Sequence, residues 1–164
     1  MGENGAASSR RQVLDAIGSL AALQQVLTAL GKDAVAFLAA DELPLPYEYR
    51  FIELRGLVTE PPADLSDRTL VFLDCGNIDR SPLSVEGALI INVDHHHDNT
   101  NFGTINHVDP HSSCTAEMVW DLAHGLQVGP TKSAELHIVV LIRLTTRTDH
   151  ARQYNPFLSG FHLR

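Results

Sequence analysis

The chain has 164 residues, of which 44% are hydrophobic and 20% charged, so it can bury a core and is not globally disordered. Its formal net charge of −8 argues against nonspecific binding to long nucleic acid, although metal cations could supply the positive charge that a phosphate ligand requires. No apolar run approaches the ~20 residues of a membrane-spanning helix, and the first residues lack the apolar stretch of a signal peptide. We therefore expect one domain in the cytoplasm, with no membrane partner and with Cys75 and Cys114 as reduced thiols.

The amino-terminal part predicts a leader, a helix and a short strand. We expect residues 1–13 to form a disordered leader, and Asp15 and Gly31 to cap the helix that follows. Apolar side chains at steps of three and four place one face of this helix in the core: Leu20, Leu23, Leu27 and Leu30. Residues 33–38 are typical of a short buried strand, and the prolines after them predict loops.

Two apolar runs in the middle of the chain, residues 69–74 and 88–94, each end in an aspartate. Because they are apolar throughout and do not alternate, they predict strands that are buried on both faces of a parallel sheet. The alternation of strands and helices predicts the α/β class, a parallel sheet flanked by helices, for a domain over residues 14–136. We expect residues 137–164 to form an irregular tail, since this segment begins like a strand and then becomes basic.

Residues 113–126 predict the next helix, with its N-cap near Ser112, Ser113 or Thr115. The helical period predicts a partly exposed Trp120. It also predicts a buried stripe made of Val119, Leu122, Ala123 and Leu126.

Asp74 and Asp94 lie at the carboxyl ends of the two predicted strands, which is where open α/β sheets bind their ligands. Three histidines, residues 95–97, follow directly, and carboxylates with imidazoles form a ligand set suited to Mn²⁺, Fe²⁺ or Zn²⁺. Each feature alone is more typical of a helix cap, a turn or a solvated loop, but together they favour a metal site. We expect Asp74 and His95 to face one cleft within about 8 Å of each other, the reach of a metal pair spaced by ~4 Å.

Residues 93–123 resemble the defining motif of the DHH-family phosphoesterases, in the bacterial branch that contains nanoRNases and phosphatases of 3′-phosphoadenosine 5′-phosphate (pAp). The resemblance rests on Asp94-His95-His96, Asn99, Phe102-Gly103, Asn106, Asp109-Pro110, Ser112-Ser113 and Thr115-Ala116-Glu117. Residues 71–80 resemble the family's second motif, an apolar strand that ends in an aspartate. Residues 14–32 resemble the end of its first motif and the helix after it.

The resemblance implies a Rossmann-like domain with a two-metal Mn²⁺ site, at which hydroxide attacks a phosphate ester in line. The metal ligands that it implies are Asp15, Asp74 as a bridge, and His95. His96 would contact the phosphate or assist the leaving group, and Asp94 would orient the catalytic site from a supporting position. His96 and Asn99 would also contact the substrate, a short oligonucleotide or pAp.

Two parts of the chain depart from the family pattern. The first motif usually reads His-x-x-x-Asp-x-Asp, and counting back from Asp15 places Ser9 and Val13 where its histidine and first aspartate belong. The nearest resemblance to the family's fourth motif, Thr-Asp-Thr-Gly, makes Asp149 a further candidate metal ligand, but the glycine of this motif is missing. We also expect these 164 residues to lack the family's C-terminal substrate-binding domain.

These matches and departures leave three functions open. The intact Asp74 and Asp94-His95-His96 favour a metal-dependent phosphoesterase. The departures favour a degenerate domain that binds a metal without turnover, and the third alternative is a module that binds a partner. Because one ligand set is incomplete, we expect one tightly bound metal rather than two. The oligomeric state stays open, with a homodimer as one candidate.

Overall fold

The computed structural model describes residues 3–40, 43–45, 47, 52 and 56–129. The predictions for residues 137–164, including Asp149, lie outside this described part. Its helices and strands are, in chain order, α1 (Glu3–Ala29), β1 (Leu70–Leu73), β2 (Ile90–Asp94), β3 (Ile105–Val108) and α2 (Thr115–Gly125).

The three strands form a parallel sheet in the order β1-β2-β3. In its register Leu73 lies opposite Val93, and Val93 lies opposite His107, so all three strands end at the same edge. This sheet, with α1 and α2, confirms the predicted α/β class and both predicted strands. The sequence did not predict β3, because three of its four residues are exposed and it lacks the apolar run of a buried strand.

Helix α1 begins at Glu3, so the expectation of a disordered leader is wrong for residues 3–13. A helix that is already nucleated and packed from Leu14 onward extends at little cost, because each added residue contributes one more backbone hydrogen bond. The same extension makes the N-cap prediction for Asp15 wrong, since Asp15 lies inside the helix.

The buried face of α1 also differs from the predicted leucine stripe. Of the four leucines only Leu23 is buried, and Leu30 is 38% exposed. The core cluster joins side chains of α1 with those at and after the start of α2: Leu14, Ile17, Ala21, Ala22, Leu23, Cys114, Ala116 and Val119, with Ile52. Small alanines on both helices favour a close approach of their backbones.

Helix α2 has nearly the predicted bounds, but its buried stripe is rotated. Val119 and Ala123 are fully buried and Trp120 is half-buried, as predicted, whereas Leu122 is 40% and Leu126 45% exposed, so the prediction for these two is wrong. The first turn of α2 binds α1 through the backbone of Thr115 and Ala116. Val119 and Ala123 lie three and seven positions after Ala116 and share its buried face, whereas Leu122 lies about 120° around the helix from Ala116 and is exposed.

Residues 33–38 form no strand, contrary to the prediction. This segment makes one isolated parallel bridge, between Phe37 and Val58. Within the described residues, no helix combines the length and the apolar character needed to cross a membrane.

A substitution at Gly103 tests the packing of the turn before β3. A Cβ atom at this position would lie 2.6 Å from the Ile105 carbonyl oxygen and 3.1 Å from Asn92 Cβ. We expect Gly103→Ala to lower the free energy of unfolding by about 1–3 kcal/mol, because backbone or a buried strand must shift. Urea denaturation followed by circular dichroism measures this change in the free energy of unfolding. In the control Gly125→Ala, the added Cβ meets no atom within 4 Å, so equal losses in both variants would contradict this packing.

Candidate metal site

The candidate site lies where the carboxyl ends of β1 and β2 meet the amino terminus of α2. Asp74 directly follows β1, Asp94 ends β2, and His95 comes next. His95 Nε2 lies 3.5 Å from Asp74 Oδ1, so the prediction that these two side chains lie within about 8 Å of each other is confirmed. Neighbouring ends of parallel strands bring together residues that are 21 positions apart.

The backbone turns sharply at Asp74, which adopts the left-handed conformation with φ of 55°. This conformation is uncommon for a residue other than glycine and is found where the surrounding structure imposes it, often at functional sites. The Asp74 side chain is only 3% exposed. The Thr115 hydroxyl of α2 donates a hydrogen bond of 3.1 Å to Asp74 Oδ1, which ties the turn to the helix.

Asp15 reaches the site from the middle of α1 and caps α2 instead of its own helix. Its Oδ2 accepts a hydrogen bond of 2.9 Å from the Thr115 backbone N–H, and its Oδ1 accepts one of 3.0 Å from that of Ala116. Both of these donors belong to the first turn of α2, where backbone N–H groups lack partners inside the helix. Asp15 therefore binds the start of a helix that lies 100 residues further along the chain, a contact that the sequence did not predict.

Burial and the neighbouring Asp74 carboxylate raise the pKa of Asp15 to about 6, although the two backbone donors and His95 act in the opposite direction. Two carboxylates held close together in a buried place repel each other. A bound cation would relieve this repulsion, so the electrostatics of the pair fit a metal ion.

His95 completes a set of three donors. Its Nε2 lies 3.5 Å from Asp15 Oδ2 and 3.5 Å from Asp74 Oδ1. Its Nδ1 lies 3.4 Å from the Ser112 carbonyl oxygen, and a proton on Nδ1 leaves the Nε2 lone pair free for a metal. Donors that share one ion at ~2.1 Å are separated by about 3.0–3.5 Å, so both distances from His95 Nε2 fit a divalent cation shared with Asp15 or with Asp74.

His96 and Asp94 form a second unit beside these donors. Asp94 is fully buried, and its Oδ1 accepts hydrogen bonds from the His95 backbone N–H (2.8 Å) and from His96 Nδ1 (2.7 Å). Burial disfavours the Asp94 anion, but hydrogen bonds from Asn99 and His96 outweigh it and lower the pKa of Asp94. Burial likewise opposes the charged form of His96, yet the Asp94 hydrogen bond and charge raise the pKa of His96.

The structure thus brings five of the predicted site residues together: Asp15, Asp74, Asp94, His95 and His96. One atom from each of Asp74, His95 and His96 lies within 4.8 Å of the others, which makes His96 a further donor within reach of a metal. Asn99 lies behind Asp94 and donates to it. The sequence did not predict the hydrogen bond from the Thr115 hydroxyl to Asp74, because no local pattern indicates a contact between residues 41 positions apart. The roles of all these residues stay predictions.

The comparison with known proteins agrees with this geometry. Residues 11–142 match the model of the DHH family, N-terminal domain. The chain belongs to the DHH family. It is also similar to the bifunctional oligoribonuclease and PAP phosphatase NrnA of Thermus thermophilus, with 39% identity over 143 residues. This alignment covers 86% of the chain but only 42% of the relative, so the chain spans less than half of that protein's length.

Replacing single histidines of the His95–His97 run tests the donor set. We expect His95→Ala to weaken Mn²⁺ binding by at least about tenfold, because the imidazole between the two carboxylates is lost. The matched control is His97→Ala, whose side chain is exposed, and it should bind Mn²⁺ as the unaltered chain does. Isothermal titration calorimetry measures both affinities. Equal losses in the two variants would contradict the assignment of His95.

Proposed function

We propose that this DHH domain hydrolyses phosphate esters of short oligonucleotides or of pAp, with Mn²⁺ as its metal ion. The observation that carries the proposal is the convergence of Asp15, Asp74 and His95 at the strand ends, with the Asp94–His96 pair beside them. The similarity to an oligoribonuclease and PAP phosphatase supports this class of substrate.

The donor set supports the choice of metal. Carboxylates and an imidazole suit Mn²⁺, and no cysteine thiolate belongs to the described donor cluster, which disfavours a structural zinc site. When bound, a divalent cation supplies positive charge to the phosphate oxygens and activates water. This charge is needed because the chain carries a formal net charge of −8 and the cleft itself is lined with carboxylates.

In this reaction the two carboxylates and the Asp94–His96 pair would have separate roles. Asp15 and Asp74 would hold the metal, and their fixed positions on α1 and on the turn after β1 orient it. Asp94 holds the His96 ring through Nδ1, which leaves His96 Nε2 available to the substrate. Because the pKa of His96 is raised, the ring carries a proton more readily near neutral pH, as a group must when it donates a proton to a leaving oxygen.

Phosphate release from pAp in Mn²⁺ tests the proposal. We expect His96→Ala to lower kcat by about 10²–10⁴-fold, the usual contribution of a positioned acid, while His97→Ala keeps the activity of the unaltered chain. A colorimetric phosphate assay on freshly purified proteins gives both rates. Absence of phosphate release from pAp together with absence of mononucleotide release from di- and trinucleotides, with Mn²⁺ bound, would refute the proposed activity.

A second candidate, a domain that binds one metal with little turnover, rests on Val13. The resemblance implies an aspartate at this position, and the structure packs Val13, partly buried, against the hydrophobic core cluster. A valine there supplies no donor. The second metal of a pair would therefore keep few ligands, and the clamp on the attacking and leaving oxygens would be incomplete.

Metal stoichiometry distinguishes these alternatives. We expect calorimetry to show one tight Mn²⁺ per chain, and we expect the double variant Ser9→His with Val13→Asp to raise metal occupancy before it raises activity. Val13→Asp alone places a carboxylate against the core and serves as the control for its cost in stability. Two Mn²⁺ ions of similar, tight affinity in the unaltered chain would show that other residues complete a two-metal site.

A further inference from the structure

Asn99 lies directly behind the metal cleft, and protein groups fill all of its hydrogen-bonding positions. Its Nδ2 donates to the Cys75 carbonyl oxygen (3.1 Å) and to Asp94 Oδ2 (2.5 Å). Its Oδ1 accepts from Asn92 Nδ2 (3.0 Å) and from the Asn101 backbone N–H (2.7 Å). A side-chain amide has two donors and two acceptor lone pairs, so none is left for a substrate.

The groups that Asn99 contacts belong to both strand ends of the site. Cys75 directly follows Asp74 in the turn after β1, and Asp94 ends β2. A second contact reinforces the one between Asn99 and Cys75, because the Thr100 backbone N–H donates a hydrogen bond of 2.9 Å to the Gly76 carbonyl oxygen. The turn that bears Asp74 is thus fastened to the loop after β2.

Asn99 is itself held from the interior of the sheet. Its partner Asn92 is fully buried in the middle of β2. Gly103 packs so closely on Asn92 that an added Cβ would lie 3.1 Å from Asn92 Cβ. Neither Asn92 nor the Asn99 amide can therefore rotate without disturbing buried neighbours.

The rigid amide determines how Asp94 meets His96. Asn99 binds one carboxylate oxygen of Asp94, and the other oxygen then faces the His96 ring at Nδ1. An ionised carboxylate at this place accepts a hydrogen bond from Nδ1–H and so selects the ring form that carries its proton on Nδ1. A freely rotating Asp94 would not hold the ring in one orientation.

We propose that Asn99 is a positioning residue, which fixes Asp94 so that His96 keeps its proton on Nδ1 and presents Nε2 to the cleft. The effect of Asn99 on catalysis rests on the proposed function, whereas its effect on the His96 ring does not. The expectation from the sequence was that Asn99 contacts the substrate. The positioning role proposed here takes the place of that expectation.

The ring form of His96 is measurable without metal or substrate. In two-bond ¹H–¹⁵N spectra of the ¹⁵N-histidine-labelled chain, at a pH at which the ring is neutral, we expect His96 to show its proton on Nδ1. In Asn99→Asp, which keeps the size of the side chain but loses both donors, we expect a mixture of the two ring forms. Asn99→Ala should behave in the same way. A His96 ring that keeps the form of the unaltered chain in a folded Asn99→Asp protein would overturn the proposal.

The neighbouring Asn101 provides the matched control. Asn101→Gly removes an exposed side chain, tolerates the φ of 53° at this position, and keeps the backbone N–H that donates to Asn99. Its His96 spectrum should equal that of the unaltered chain, and an equal disturbance in both variants would overturn the proposal in favour of a general loop effect.

Kinetics with pAp in Mn²⁺ give the second readout. We expect Asn99→Asp to lower kcat by at least about tenfold with KM little changed, because Asn99 acts through His96 and does not bind substrate. A raised KM with unchanged kcat would overturn the proposal and restore the role in substrate binding. If the unaltered chain does not hydrolyse pAp, the proposed function fails, and the spectra still decide the positioning role.

Discussion

The arrangement of the site depends on one buried carboxylate, that of Asp15, at the amino terminus of α2. Its two oxygens bind consecutive backbone N–H groups of that helix, where the helix dipole favours negative charge. This contact sets the rotation of α2 against α1 and brings the Thr115 hydroxyl to Asp74. The packing of the two helices and the geometry of the site are therefore one feature, and a substitution of Asp15 would disturb both.

The same contact has an electrostatic cost. With its pKa raised to about 6 by burial and by Asp74, the Asp15 anion is less favourable in the folded chain than in water. A group held in an unfavourable charge state close to a second acid and an imidazole is typical of a site made for a cation. The Asp94–His96 pair differs from Asp15. Its hydrogen bonds favour the Asp94 anion and the His96 cation by more than burial disfavours them. In the proposed function, Asp15 and Asp74 would hold a cation, and the Asp94–His96 pair would hold a proton.

Part of the fold and of the candidate site could be predicted from the sequence. Apolar runs ending in Asp74 and Asp94 predicted two parallel strands and the edge at which their acids meet, because side-chain burial on both faces leaves a local pattern. The contact of Asp15 with α2 could not be predicted, since it joins residues 100 positions apart and depends on how two helices rotate. For the same reason the exposure of Leu122 was missed. The motif over residues 93–123 drew attention to Asn99. The hydrogen bond from Asn99 to the Cys75 carbonyl oxygen, however, depends on β1 and β2 lying side by side.

Anomalous diffraction from crystals grown with Mn²⁺ tests most directly the claim that Asp15, Asp74 and His95 hold one metal. We expect one strong peak at about 2.0–2.2 Å from a carboxylate oxygen of Asp15, from one of Asp74 and from His95 Nε2. Asp15 should keep its hydrogen bonds to α2. A peak that lies on other residues, or a cleft without a peak at saturating Mn²⁺, would contradict the metal site and the function proposed for it.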